Sequence, residues 1–257
     1  AFVTLDAHLR EAPFALAMSS GFFSFFAHTG FLRALERRGL MPASVSGSSA
    51  GALVGGLWAS GLDAEALAGE LLALDRHEFW DPAPGFGFLR GAKFHSKVRK
   101  LVRDARIEDC RVPVRISIFD IATRSTKVVT RGALADAICA SCAVPLFFQP
   151  VRVEGRLSWD GGVLDRPGIA EHPAGRLLYH HIASRSPWRR PGGSSMVIPA
   201  REGLVALQIQ DLPRSGPFAL AAGRDALRVA EAATERALDG TLQPVITVAA
   251  ESTEGAC

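Results

Sequence analysis

Gly47-Ser48-Ser49-Ala50-Gly51 has the form Gly-x-Ser-x-Gly, the pattern of a serine carried on a sharp turn between a strand and a helix. A residue on such a turn is strained, and any side chain at 47 or 51 would crowd the backbone. Upstream, Ser44 to Gly47 reads as a short strand entering the turn. Downstream, Ala50 to Ser60 is small and apolar, as suits a helix pressed tightly against a sheet. Glycine, serine and alanine are common, so the five residues alone carry little. With a strand before and a helix after, they predict a nucleophile at Ser49.

Further out, strands and helices alternate. Phe14 to Met18 is a continuous apolar run, consistent with a buried strand. Phe26 to Arg38 has Phe31, Leu32 and Leu35 at helical spacing, with Gly39 as a stop. Asp63 caps a helix running to about Arg76. Val112, Val114, Ile116 and Ile118 alternate as in a half-buried strand, and Lys127 to Thr130 pairs with it. Ala133 to Cys142 reads as a helix ended before Pro145. Val151 to Val153 and Arg156 to Trp159 flank a tight turn at Glu154-Gly155. Leu177 to Ile182 and Leu204 to Ile209 read as strands, Phe218 to Leu238 as a long helix, and Val245 to Ala249 as a last strand. Trp80 to Lys93 and Ser184 to Ser195 read as loops. This order predicts α/β layers, a three-layer α/β/α arrangement around a mostly parallel central sheet.

The bulk properties fit an enzyme rather than a disordered or fibrous chain: 257 residues, 48% hydrophobic, 21% charged. A net charge of +3 is compatible with peripheral contact with an anionic lipid surface and does not call for nucleic acid. No apolar run approaches the roughly 18 residues of a membrane span, and the first residues lack a signal-peptide core, so the expectation is a cytoplasmic protein. Cys110, Cys139, Cys142 and Cys257 show no disulfide-framework spacing and read as reduced thiols, with Cys139 and Cys142 in a packed helix. No metal-ligand spacing is present. Arg99, Lys100, Arg103 and Arg106 read as a solvated helix face.

A serine nucleophile needs a base. Ser49, Asp160 and His180 or His181 follow the chain order of a hydrolase triad, but these histidines lie in the strand-like run 177–182 rather than in a loop. Alternatively, Asp160 is itself the base, because Gly161 and Gly162 let the chain turn and bring its carboxylate to the serine.

Three blocks carry a resemblance. Ser46 to Gly55 is similar to the nucleophile elbow of patatin-like phospholipases of the bacterial type. Ala140-Ser141-Cys142-Ala143-Val144-Pro145, continuing to Asp160-Gly161-Gly162, resembles that family's serine-proline stretch and Asp-Gly-Gly motif. Leu16 to Gly21 and Ala27 to Glu36 resemble its first strand, oxyanion loop and first helix. The likeness spans about residues 14–166, and the whole of 1–257 is expected to be a single acyl hydrolase domain. The resemblance implies a Ser49–Asp160 dyad, a lipid or other long-chain ester substrate, and no calcium or other cofactor. It maps the oxyanion donors to the backbone N–H groups of Gly21 and Phe22, with Gly47, Gly51, Gly161 and Gly162 supporting the motifs.

The oxyanion loop departs from the family's Gly-Gly-Gly-x-Arg/Lys-Gly. Here it reads Ser20-Gly21-Phe22-Phe23-Ser24-Phe25, so backbone freedom is expected to give way to apolar surface near Ser49. Phe22, Phe23, Phe25 and Phe26, with the aromatic stretch from Phe79 to Phe94, read either as core or as the wall of an apolar pocket. His28 reads as a structural hydrogen-bonder. Burial beside Trp159 is expected to make Asp160 a better base. Two other functions fit less well: a carboxylesterase with a Ser-Asp-His triad, and a catalytically degenerate lipid-binding protein.

Overall fold

The computed structural model describes residues 2–183 and 197–250. The segment expected as a loop at 184–195 and Cys257 lie outside the described residues. The elements run α1 (Leu5–Glu11), β1 (Ala15–Met18), α2 (Phe25–Arg37), β2 (Ser44–Ser48), α3 (Ala50–Ala59), α4 (Ala64–Leu72), β3 (Gly87–Leu89), α5 (Ala92–Val102), β4 (Val114–Asp120) and β5 (Ser125–Val129). They continue with α6 (Leu134–Ser141), β6 (Leu146–Phe148), β7 (Val151–Val153), β8 (Arg156–Asp160), β9 (Leu177–Ile182), β10 (Leu204–Gln210), α7 (Leu220–Asp239) and β11 (Val245–Ala249).

The expected α/β architecture with a mostly parallel central sheet is the one observed. Strands β11-β10-β9-β1-β2-β4 lie side by side, and every neighbouring pair is parallel. Strands β5 and β8 pair antiparallel with β4, and β7 pairs antiparallel with β8. One face of the sheet shares its core with the helices: Leu16, Val45, Ile116, Leu178 and Leu207 pack with Phe31, Leu57, Ile138 and Ala233. The other face carries Ala17, Leu177, Tyr179, Leu204 and Ala206, with Ile169 and Ile198 against them.

Local chemistry sets the boundaries. The Asp63 carboxylate accepts from the Ala66 N–H at 2.7 Å and starts α4. Glu154 and Gly155 both have positive φ, 47° and 80°, which matches the twist of a two-residue hairpin. The basic run at the end of α5 is not one helix face. The helix stops at Val102, and Arg103 and Asp104 take left-handed φ of 52° and 57°. Within the stretch expected as a loop from Trp80, residues Gly87–Leu89 form a three-residue strand paired in parallel with β6.

Candidate active site

The register on β4 brings two chain ends together. Ile116 and Ser117 pair with both β2 and β5, so those neighbours occupy opposite edges of β4. Ile118 to Asp120 pair with both β5 and β8, so β8 takes the edge that β2 leaves. The last residue of β2, Ser48, lies opposite Ser117, and the last of β8, Asp160, lies opposite Ile118. The two strands therefore run head-on along one edge, with their ends about 3.3 Å apart in register. Ser49 continues the chain from the end of β2, and Gly161-Gly162 turns it away at the end of β8.

Ser49 has φ 54° and ψ −119°, a strained conformation for a residue with a side chain, and α3 begins at the next residue. Its side chain thus sits at a helix N-terminus, where the field favours developing negative charge. The turn closes only because the flanking positions are bare. A Cβ at 47 would lie 2.5 Å from the Gly51 carbonyl carbon, and one at 51 would lie 2.0 Å from the Met18 carbonyl oxygen. Gly161 and Gly162 are packed as closely, against the Ser117 carbonyl and the Ser20 side chain.

Side chains from α6 and its C-terminus hold the turn. Ser141 Oγ accepts from the Ser49 N–H at 2.8 Å and donates to the Ser117 carbonyl at 2.7 Å. Cys142 Sγ donates to the Ser49 carbonyl at 3.3 Å. Asp160 is 5% exposed. Its backbone N–H donates to the Ala143 carbonyl at 2.9 Å, and its Oδ1 accepts from the Gly162 N–H at 2.7 Å. Its charge helps to raise the Cys142 thiol well above 9, after the larger effect of burial. Trp159 is its neighbour on the strand, so the two side chains leave the strand on opposite faces.

Beyond the Asp-Gly-Gly turn, Asp165 is buried and accepts from Ser117 Oγ at 2.5 Å and from the N–H groups of Gly168 and Ala170 at 3.1 and 3.0 Å. Arg166 is buried as well. It donates to the Ile182 carbonyl at 2.5 Å, while its own carbonyl accepts from the Ser20 N–H at 2.7 Å. Arg166 thereby ties the start of the 20–25 loop to the end of β9. Ser141 falls in the stretch that carries the resemblance, but its bond to Ser49, 92 positions away, and the roles of Asp165 and Arg166 are not readable from local sequence.

Gly21 and Phe22 line the same cavity as Ser49. The expected backbone cost in the loop falls on one residue: Phe23 alone among its phenylalanines has positive φ, at 55°. Gly21 is required by space, since a Cβ there would lie 2.4 Å from Ser24 Oγ.

The histidines are engaged elsewhere. His28 Nε2 donates to the Ser19 carbonyl at 2.8 Å, so neutral His28 accepts at Nδ1 from His180 Nδ1, also at 2.8 Å. The His180 ring stacks on Phe31 at 4.2 Å. Burial pushes His28 down to about 4 and His180 well below 6.5. His181 Nδ1 bonds the Tyr179 hydroxyl at 3.0 Å, and burial brings it to about 4.

An apolar chamber opens beside Ser49. Leu53 and Leu57 of α3, Leu67 and Leu71 of α4, and Phe94 and Val98 of α5 form its walls. From Ser49 to Leu57 the α3 wall extends about 12 Å. Ring contacts lead outward from it: Phe22 to Phe147 at 5.5 Å, Phe147 to Trp80 at 6.4 Å, and Trp80 to Phe88 and Phe218 at 5.5 and 5.2 Å. Phe88 and Phe218 are exposed, and the Arg76 guanidinium covers Trp80 and Phe218. Among the described residues no group of three His, Cys, Asp or Glu is placed to hold a metal ion, and no helix is long and apolar enough to cross a membrane.

A family model described as patatin-like phospholipase matches residues 16–171. An uncharacterized NTE family protein of Mycobacterium tuberculosis is 38% identical over 154 residues, 59% of this chain and 43% of that protein. Lysophospholipase NTE1 of Mycosarcoma maydis is 30% identical over 171 residues, 64% of this chain and 9% of that protein. The chain thus spans less than half the length of these curated relatives. Among solved structures, VipD from Legionella pneumophila shares the fold at TM-score 0.52 and 15% identity, over 77% of this chain and 50% of its own. The type III effector ExoU shares it at TM-score 0.50 and 14% identity, over 88% and 53%.

Proposed function

The chain belongs to the patatin-like phospholipase family, and from that premise we propose that it is a lipid acyl hydrolase working through a Ser49–Asp160 dyad. The head-on meeting of β2 and β8 along β4 carries the reading, because it delivers a strained serine and a carboxylate to one point beside an apolar chamber. Asp160 accepts the Ser49 hydroxyl proton as Oγ attacks the ester carbonyl. The Gly21 and Phe22 N–H groups and the start of α3 stabilise the oxyanion. The C–O bond to the alcohol breaks, and the alcohol leaves with the proton returned by Asp160. Asp160 then takes a proton from water, the hydroxide oxygen attacks the acyl-enzyme, and the fatty acid departs as Ser49 regains its proton.

The chamber suits an acyl chain, and the exposed aromatic residues with Arg76 suit the approach to a lipid surface. The name lysophospholipase on a relative supports the same substrate class. The triad alternative is disfavoured because the His180 and His181 rings are committed to His28, Phe31 and Tyr179. Strands β9 to β11, all beyond the matched region, complete the same sheet, which supports reading the chain as one domain. The test is fatty-acid release from a lysophospholipid by the purified chain. Release that vanishes in Ser49→Ala supports the reading. Binding of the lipid with no release by the native chain refutes hydrolysis and leaves the lipid-binding alternative.

A further inference from the structure

The chamber shares a wall with a second hollow. Glu70, Lys97 and Leu101 line both, and the second hollow is otherwise polar, bordered by His77, Glu78, Lys93, Ser96 and Lys100. Lys97 is the only cation among the described residues lining the chamber. It lies on the α5 face that also presents Phe94, Val98 and Leu101 to the chamber, at helical spacing.

Its ammonium is drawn away from that face. Lys97 Nζ donates to Glu78 Oε1 at 2.6 Å and to Glu70 Oε2 at 3.1 Å. The Lys97 side chain is 22% exposed, while Glu70 and Glu78 are 42% and 38% exposed. The methylenes can therefore cover apolar surface while the charged end stays at the wetter side. Two carboxylates offset the cost of holding an amine beside an apolar space. They come from α4 and from the short helical turn Arg76–Glu78, so the clasp ties three segments across the chamber wall.

Resting on the reading of the chamber as the acyl site, we propose that Lys97, clasped by Glu70 and Glu78, is the partition that limits acyl-chain length. A chain that stays within the apolar walls never meets it. A longer one has to displace the lysine stem and break two ion pairs. Shortening residue 97 joins the chamber to the polar hollow and gives the end of a long chain a way through.

The test is the acyl-length profile, from eight to twenty carbons, of the native protein, Lys97→Ala and the double variant Glu70→Gln/Glu78→Gln. It is read as kcat/KM on esters and as competition binding of the free fatty acids, so that a chain that binds without turning over still reports. In Lys97→Ala the optimum moves at least two carbons longer, and the preference for long over short chains rises about tenfold, the scale of two more buried methylenes. The double variant moves the profile the same way by less, since the stem remains but is released. A native profile that depends on length, unmoved in both variants, overturns the partition and leaves the acyl reading standing. A native protein that neither binds nor cleaves with any dependence on length overturns the acyl reading and the partition with it.

Discussion

The junction of β2, β4 and β8 and the chamber between α3, α4 and α5 lie side by side and are built by opposite means. The junction is made by leaving side chains out. Gly47, Gly51, Gly161 and Gly162 sit where an added carbon would overlap neighbouring atoms at 2.0–2.5 Å. The chamber is made by long side chains that leave a space unfilled. A site that must hold two reacting groups in fixed register uses backbone against backbone, which has no slack. A site that must accept a flexible chain uses side chains, which can give. Substitutions at the junction should therefore act on the reaction and on the fold, and substitutions in the chamber on selectivity.

The largest effect expected is at Ser49. Ser49→Ala should reduce ester hydrolysis by about 10⁴ or more, the scale of losing a serine nucleophile, while Ser48→Ala keeps most of the activity. Asp160→Asn should lower kcat by at least about a hundredfold, the low end of a general-base contribution, with the fold intact by circular dichroism. Equal activity in Asp160→Asn and the native chain would break the junction account.

Gly51 and Phe148 set the two regions directly against each other. Gly51→Ala adds one methyl group against the Met18 carbonyl and should cost about 3 kcal/mol or more in urea unfolding. Phe148→Ala removes a whole ring beside the chamber and should cost less than half of that, because Phe148 is only partly buried and already borders empty space. The reverse order of these two costs would contradict the contrast between junction and chamber.

A smaller effect concerns pH. His28 and His181 are held at about 4 and His180 well below 6.5, mainly by burial. Unfolded histidines bind protons below about 6.5 while the folded ones do not, so stability is full above that pH and falls as the pH drops from about 6.5 toward 4. Each histidine contributes a slope approaching 1.4 kcal/mol per pH unit in that window. His180→Gln should flatten the dependence of Tm on pH between 6.5 and 5 by about one proton's worth, and an unchanged slope would show that His180 is not held neutral.

The same contrast explains what the sequence reveals. The elbow is legible because glycines at 47 and 51 are its mechanism, and Asp160-Gly161-Gly162 is legible for the same reason. Most strands are legible from alternation or continuous apolar runs. The chamber is much less so, since Phe22, Phe79 and Phe94 have the same letters whether they fill a core or line a space. Ser141 is marked by the resemblance alone, and its role stays hidden because it is a hydrogen bond to a residue 92 positions away. Strands β3 and β6 have three residues each and pair with one another at long range along the chain, so they lack the adjacent hairpin turn that makes the equally short β7 legible. The loop phenylalanines signal a backbone cost, but only the packing decides that Phe23, not Phe22 or Phe25, bears it.

The central claim is that the head-on meeting of β2 and β8 activates Ser49 through Asp160. Labelling with a serine-reactive phosphonate, mapped by peptide mass spectrometry and timed in native and Asp160→Asn proteins, tests it most directly. One adduct is predicted, on Ser49, with a labelling rate at least about a hundredfold slower in Asp160→Asn. An adduct on Ser48, or a rate that the loss of the carboxylate leaves unchanged, contradicts it.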